Sequence, residues 1–265
     1  MKSLEVLRQD GLLSKALSDF QCRDVQLQMA SFIEEILESQ GVGIVEAGTG
    51  TGKTFAYLVP ILLSNLKAII STGTKHLQDQ LFTKDLPLIC RALNAKHRIA
   101  LLKGRANYLW RYRLKRNLEE GQFFSRQTIH ELHQVQRWSE STLSGDIAEL
   151  ATLPEDASIW PYVTSTTDNC LGRECPFYEK CFVTQARENA KNSDILVVNH
   201  HLFMADLALK EEGFGELLPE VSAIVFDEAH HVSKVASQFF GDTLSSRQFF
   251  DLVREMKQEF VLFAK

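Results

Sequence analysis

The 265-residue sequence predicts an α/β fold: a parallel sheet with helices on both faces, interrupted by a helical insertion that carries cysteines. Three observations predict it. Five short apolar runs, at 43–46, 68–71, 99–102, 194–198 and 223–226, have the length and composition of buried parallel strands. A glycine-rich turn joins the first run to a helical pattern. The block 118–160 loses the strand pattern, turns rich in Gln, Glu, His and Ser, and leads into a group of cysteines at 170–181.

Residues 24–40 place Val25, Met29, Phe32, Ile33, Ile36 and Leu37 at helical spacing, the mark of an amphipathic helix on a core. Arg23 and Gln26 stand at its start. A Gln amide can pair with both a donor and an acceptor edge, which suits adenine. On residue physics alone, two exposed polar side chains at a helix start is the better reading.

The turn at 46–54 reads Glu46-Ala47-Gly48-Thr49-Gly50-Thr51-Gly52-Lys53-Thr54. Glycines let main-chain N–H groups crowd an anion without Cβ clashes. The helix that follows presents the positive end of its dipole. Lys53 offers a charge to terminal phosphates and the Thr54 hydroxyl a ligand to Mg²⁺, the pattern of an ATP-type phosphate cradle. Ala47 stands where the usual pattern has its first glycine.

The run 68–71 leads into Thr72-Gly73-Thr74-Lys75. Thr74 is a candidate helix N-cap, and the hydroxyls and free N–H groups of this turn could instead hold a nucleic-acid phosphate. Residues 103–117 include six basic side chains, Lys103, Arg105, Arg111, Arg113, Lys115 and Arg116, and no acidic one. Tyr108, Trp110 and Tyr112 are interleaved. Cations for phosphates and aromatic faces for bases suit single-stranded nucleic acid; a solvated basic helix is the alternative.

A helix is expected around 127–139. Cys170, Cys175 and Cys181 follow with C-x4-C-x5-C spacing, which points to a metal or cluster site, although both Fe–S clusters and structural zinc usually take four ligands. Beyond the run 194–198, His200 and His201 read as a polar turn, with metal ligation as the second option. Asp227 and Glu228 come directly after the run 223–226. An Asp there is where a phosphate-loop protein holds Mg²⁺, and a neighbouring Glu can orient and deprotonate water. In 246–265 an apolar stripe (Phe249, Leu252, Val253, Met256, Phe260, Phe263) has helical spacing.

The net charge of −5 argues against a generally basic nucleic-acid coat but leaves room for a local basic groove. The first residues hold no uninterrupted apolar signal region, and no apolar run nears the roughly 18–20 residues a membrane span needs. A cytoplasmic, non-membrane protein is expected, in which clustered thiols serve metals rather than disulfides.

Taken in order, E-A-G-T-G-T-G-K-T (46–54), S-T-G-T-K-H-L-Q-D-Q-L (71–81), L-K-G-R-A-N-Y-L (102–109), the three cysteines, V-N-H-H-L-F (198–203) and F-D-E-A-H (226–230) resemble the XPD/DinG group of iron–sulfur superfamily 2 DNA helicases, in particular its bacterial YoaA-type members. The resemblance implies a P-loop RecA-like domain at 1–104 and 186–240, an Fe–S-type insertion at 105–185, and the start of a helical arch at 241–265. It implies ATP and Mg²⁺ as cofactors, with Arg23 and Gln26 beside adenine, Lys53 and Thr54 on phosphate and Mg²⁺, Asp227 on Mg²⁺, Glu228 on the water, and His230 coupling hydrolysis to the DNA side. Single-stranded DNA would meet Thr72, Thr74, Lys75, Lys103, Arg105, Tyr108, Arg111 and Arg113, with 5′-to-3′ movement, in DNA repair alongside the replication machinery.

Two departures qualify this. The first ligand of the family's [4Fe–4S] cluster falls on Trp110, which cannot bind iron; a three-cysteine cluster and an insertion without one are both open. The family's second RecA-like domain, which supplies an arginine finger, has no counterpart in the sequence. The expectation is therefore a truncated helicase portion that binds Mg·ATP and single-stranded DNA without unwinding alone, with a separate chain as one source of the missing half. The alternative is a non-catalytic ATP-, DNA- or partner-binding module left from a broken or split helicase.

Overall fold

The computed structural model describes residues 2–17, 20–48, 50–121, 123, 125–213, 217–241, 250, 253 and 256. Two short helices, α1 (Ser3–Leu7) and α2 (Leu12–Ala16), precede α3 (Asp24–Ser39) and α4 (Lys53–Ser64). Strand β1 (Ala68–Thr72) feeds α5 (Lys75–Gln80), which runs through a π-helical turn (Leu81–Asp85) into α6 (Leu86–Leu93). Then come β2 (Ile99–Leu101), α7 (Arg111–Glu120), α8 (Arg126–Ser139), α9 (Trp160–Val163) and α10 (Phe182–Lys191). The chain returns to the sheet with β3 (Ile195–Asn199), α11 (His200–Glu211), β4 (Ala223–Phe226) and α12 (Val232–Phe240).

The four strands pair in the order β2-β3-β1-β4, all parallel. Alternation of side chains sorts the sheet's residues between two cores. Ala68, Ile70, Ile195 and Val197 face a core completed by α1, α2, α3, α4 and α6. Ile69, Leu196 and Val198 face the other, with Ala190 of α10, Phe203 and Met204 of α11 and Val235 of α12. Both faces of the central strands are covered, as their near-continuous apolar runs require. A parallel sheet flanked by helices is what a RecA-like P-loop fold needs.

A third core lies apart from the sheet. Tyr108, Leu109, Leu114, Leu132, Val135, Ile159, Trp160, Val163 and Phe182 pack together across the block between β2 and β3. The helix expected at 127–139 is α8, started by the Ser125 hydroxyl, which accepts from the Gln127 N–H at 3.2 Å.

One expected strand is missing. Residues 41–48 carry no regular structure, and Val42 and Ile44 are each 93% exposed. The segment lies along α3 instead: a Cβ at Gly43 would come within 2.9 Å of Phe32. A strand needs a neighbour to share its ladder. Among the described residues β4 pairs only with β1, and its outer side is left open, with Ile224 47% exposed. The apolar stripe at 246–265 and the expected start of an arch fall largely outside the described residues, and only Phe250, Val253 and Met256 of the 242–265 stretch are described.

No helix among the described residues is long and apolar enough to cross a membrane.

Candidate nucleotide site and its flanking surfaces

The carboxyl ends of the strands gather the polar residues that the sequence singles out, the usual ligand position of an open α/β sheet. Ser71 and Thr72 end β1, Asn199 ends β3 and lies opposite Thr72, and Asp227 follows β4 with its N–H donating to the Ser71 carbonyl at 2.8 Å. The glycine-rich turn precedes α4, whose first residue reaches this edge. Gly50 and Gly52 adopt φ of 76° and 80°, which a side chain would resist. The Thr51 hydroxyl donates to the Gly48 carbonyl at 2.9 Å. Thr49 lies outside the described residues.

Lys53 opens α4 and is brought to Glu228: its Nζ lies 3.7 Å from Glu228 Oε1 and donates to the Ala47 carbonyl at 3.1 Å. Glu228 Oε2 is 3.4 Å from His230 Nδ1. Glu228 itself has φ 54° and ψ 46°, a left-handed conformation that few non-glycine residues adopt. Burial raises the Asp227 pKa, and the Glu228 charge adds to the shift. The Tyr57 hydroxyl is buried without a hydrogen bond of good geometry, yet it stands next to the Thr54 hydroxyl and the Asp227 carboxylate. Burial and Asp227 together hold that phenol in its protonated form. Nothing in the sequence reasoning picked out Tyr57; its place one turn after Thr54 on α4 was the available signal.

The donor set suits Mg²⁺, which prefers hard oxygen ligands. Thr54 supplies a hydroxyl and Asp227 a carboxylate. Glycines in positive φ, an ammonium and a helix start provide for phosphates. These residues fit Mg·ATP.

Gln26 is buried, against the reading of two exposed polar side chains at the helix start. It is 3% exposed, its Nε2 donates to the Gly52 carbonyl at 3.0 Å, and its Oε1 is buried without a partner. Gln26 thus props the phosphate loop from below. Arg23 is exposed and reaches toward Gly50.

The surface expected to meet DNA is less open than its composition suggests. Lys103 is buried, with Nζ 2.7 Å from both Asp79 and Asp146. Burial works against its ammonium, but the two carboxylates outweigh that and raise its pKa. Tyr108 is buried too, and its hydroxyl accepts the Lys103 main-chain N–H at 3.0 Å. Arg111 sits 4.4 Å over the Phe182 ring. Lys115 and Arg116 pair with Glu119 and Glu120 one helical turn on. Thr72 is buried and donates to the Thr74 carbonyl, while the Thr74 hydroxyl accepts the Leu77 N–H as an N-cap. Lys103, Tyr108 and Thr72 are therefore buried, with their polar atoms engaged inside the fold. Lys75 is exposed, and Arg105 and Arg113 are half-buried. Arg113, with Trp110, Tyr112, Arg116, Asn169 and Leu171, borders an open cleft of about 500 Å³.

The residues present do not fit a [4Fe–4S] cluster. Trp110 stands at the first ligand position, 9% exposed, with its ring 5.6 Å from that of Tyr112 and its main-chain N–H donating to the Val163 carbonyl at 2.8 Å. Among the described residues, no three His, Cys, Asp or Glu side chains converge as a metal site, and Cys170, Cys175 and Cys181 are all described. Cys170 accepts the Gly172 N–H at 3.4 Å, and Cys175 is buried. Among the described residues the three thiols form no metal-binding group, and the first ligand position holds a packed indole. Among the described residues the His pair belongs to no group of three metal-ligating side chains either. His200 is fully buried and His201 lies against Phe239.

A DEAD/DEAH box helicase family model matches residues 25–114. The ATP-dependent DNA helicase YoaA of Haemophilus influenzae is 50% identical over 247 residues, which is 93% of this chain and 39% of that protein. YoaA of Escherichia coli is 49% identical over the same shares of each chain. This chain is a superfamily 2 helicase segment closely related to the N-terminal part of bacterial YoaA. The ATP-dependent helicase DinG of Mycobacterium tuberculosis is 35% identical over 230 residues, 78% of this chain and 34% of that protein. The YoaA-related segment spans about two-fifths of the length of the YoaA proteins it matches (39%).

Proposed function

We propose that the chain binds Mg·ATP between the 47–54 loop and the Asp227–Glu228 turn, and that it hydrolyses ATP as the first half of a DNA helicase motor. The approach of Lys53 to Glu228, 3.7 Å across the strand ends, carries this reading. Thr54 and Asp227 would hold Mg²⁺, which when bound offsets phosphate charge. Lys53 binds the terminal phosphates. Glu228 orients the attacking water and takes its proton, and Lys53 and His230 keep that carboxylate in place. The Tyr57 hydroxyl is buried beside Thr54 and the Asp227 carboxylate.

The exposed Lys75 and the Arg113 cleft beside Trp110 and Tyr112 are the proposed contacts for single-stranded DNA, with the half-buried Arg105 as a further one. We read 105–185 as an insertion held by its own apolar core and not by a cluster, and 1–104 with 186–240 as one RecA-like domain. Translocation and unwinding, and any part in DNA repair or replication, we assign to a whole helicase of YoaA length, with a second RecA-like domain closing on the nucleotide.

The test is ATP turnover and fluorescent-ATP binding by the purified chain and its Lys53→Ala variant, each with and without a single-stranded oligonucleotide. Turnover that vanishes in Lys53→Ala supports the reading. Equal background rates with nucleotide still bound would make the chain a binding module, and no nucleotide binding at all would overturn the site.

A further inference from the structure

A buried polar contact joins the two halves of the strand-end site, and the chemistry above does not use it. Ser71 near the end of β1 and His200 at the start of α11 are both fully buried, with Ser71 Oγ 2.7 Å from His200 Nδ1. The His200 ring lies 6.0 Å from that of Phe226, the last residue of β4. Its Nε2 is buried without a hydrogen-bond partner, and the main chain of Asp227 and Glu228 lies near the ring. An imidazole satisfied at one nitrogen only is a costly way to fill a core. An apolar side chain would pack there without leaving a buried nitrogen unpaired.

The main chain near His200 is the strained one. Glu228 holds φ 54°, and a left-handed non-glycine residue persists only where its surroundings impose it. Part of that imposition comes from Ser71, whose carbonyl takes the Asp227 N–H at 2.8 Å while its hydroxyl takes His200. The next residues, Thr72–Lys75, form the turn that carries Lys75, a proposed nucleic-acid contact. That turn also touches the Glu228 segment at the surface: a Cβ on Gly73 would lie 2.9 Å from His231 Cδ2 and 3.9 Å from Glu228 Cβ. Gln78 of α5 fixes the same turn to the sheet, donating to the Leu102 carbonyl at 2.8 Å.

We propose that His200 is a positioning residue: clamped by Ser71, it holds the Asp227–Glu228 main chain in its left-handed turn and ties that turn to the Thr72–Lys75 segment. A shift of the segment is then passed to the Glu228 carboxylate. The coupling has two physical links, the buried Ser71–His200 contact and the Gly73–His231 contact. Its consequence for catalysis rests on the nucleotide-site reading above; the positioning itself does not.

The test compares His200→Leu, His200→Asn and Ser71→Ala in the full chain. An Asn amide can keep a hydrogen bond to Ser71, whereas Leu cannot. Hydrogen exchange at 226–231 is expected to quicken by about fivefold or more in His200→Leu and Ser71→Ala, with the rest of the sheet unchanged and His200→Asn near wild type. In turnover, kcat falls while the affinity for fluorescent ATP holds, and stimulation by a single-stranded oligonucleotide is lost. Combining Ser71→Ala with His200→Leu should be no worse than His200→Leu alone. Unchanged exchange at 226–231, or a rise spread evenly over the sheet, overturns the proposal. If wild type neither binds nor turns over nucleotide, the site reading has failed, and the exchange result still decides whether His200 positions Glu228.

Discussion

Lys53 Nζ lies 3.7 Å from Glu228 Oε1, so the cation we propose for phosphate and the carboxylate we propose for water face each other. The pair is partly open, with the side chains 28% and 34% exposed, and so is worth little as a stabilising contact. Its value is in registration. Glu228→Gln should keep the geometry, remove one negative charge beside the phosphate position, and remove the base. We expect Mg·ATP to bind as tightly as in wild type or up to roughly fivefold tighter, the worth of an exposed ion pair. Turnover should fall by about 10²–10⁴, the usual share of general-base catalysis. Titration with a fluorescent ATP analogue beside a phosphate-release assay checks both; weaker binding with unchanged turnover would place the base elsewhere.

The two left-handed glycines of the loop should respond differently to alanine. At Gly50 an added Cβ has room, its nearest neighbour being Arg23 at 3.7 Å, so the cost is backbone strain alone. At Gly52 the same Cβ would collide with the Gln26 amide that supports the loop. Strain of this kind costs about 1–3 kcal/mol. Gly52→Ala should therefore lose nucleotide affinity and thermal stability beyond Gly50→Ala, measurable by calorimetry with and without Mg·ATP.

Lys103 gives a prediction about the join between sheet and insertion. Asp79 belongs to α5 and Asp146 to the insertion, and both are 2.7 Å from the buried ammonium. Removing one partner of a buried ion pair costs about 3–5 kcal/mol. Lys103→Met should destabilise the chain toward that range at pH 7, the lower end applying because Asp79 is one-third exposed. The pH dependence follows from the shifts. Burial already raises the Asp146 pKa, with Lys103 pulling it back. Without Lys103 it rises further, the folded state binds the extra proton, and the variant's deficit shrinks as pH falls toward the ordinary carboxylate range. The raised Lys103 pKa means that its contribution in wild type is complete below the model-peptide value of 10.5 and lost only as pH climbs through the folded value. Urea unfolding at pH 5 and pH 7 distinguishes this from simple loss of packing, which would be pH-independent.

Much of this architecture is legible in the sequence because buried strands write themselves as apolar runs. β1, β3 and β4 each end where polar residues of the site begin: Thr72, Asn199 and Asp227. What the runs cannot show is whether a neighbouring strand exists. Residues 43–46 have strand composition, but pairing is a property of two segments. The basic stretch misleads for a related reason. Counting Lys103, Arg111, Lys115 and Arg116 as free cations ignores Asp79, Phe182, Glu119 and Glu120, of which only the last two are near in sequence. Tyr57 and His200 act through position, and a single sequence gives no distance between a residue on α4 or α11 and the end of β4.

Trp110 tests the reading of the insertion as a metal-free core. Its indole is 9% exposed and packs beside Tyr112. Truncating a buried Trp typically costs about 3–5 kcal/mol. Trp110→Ala should lower stability on that scale, and Trp110→Cys should do so without gaining iron. The measurements are iron and sulfide content after anaerobic purification, visible absorption and a thermal melt. A brown Trp110→Cys protein with stoichiometric iron and a raised melting temperature would show that the three thiols can converge after all.

The exposed segment before the phosphate loop gives the sharpest contrast between pattern and placement. Were Ile44 in a buried strand, Ile44→Lys would bury an unpaired ammonium and unfold the chain. With the side chain 93% exposed, the substitution should change stability by no more than about 0.5 kcal/mol, as for other surface positions. Ile70, fully buried in β1, is the control: Ile70→Ala should cost about 2–5 kcal/mol. Nucleotide binding should also survive Ile44→Lys, because the loop is held by Gln26 on Gly52 and by Lys53 on Ala47 and Glu228, not by a ladder at 43–46. Urea midpoints of the two variants, read with fluorescent-ATP affinity, decide it. A collapse of Ile44→Lys comparable to Ile70→Ala would mean that residues 43–46 join the sheet in solution.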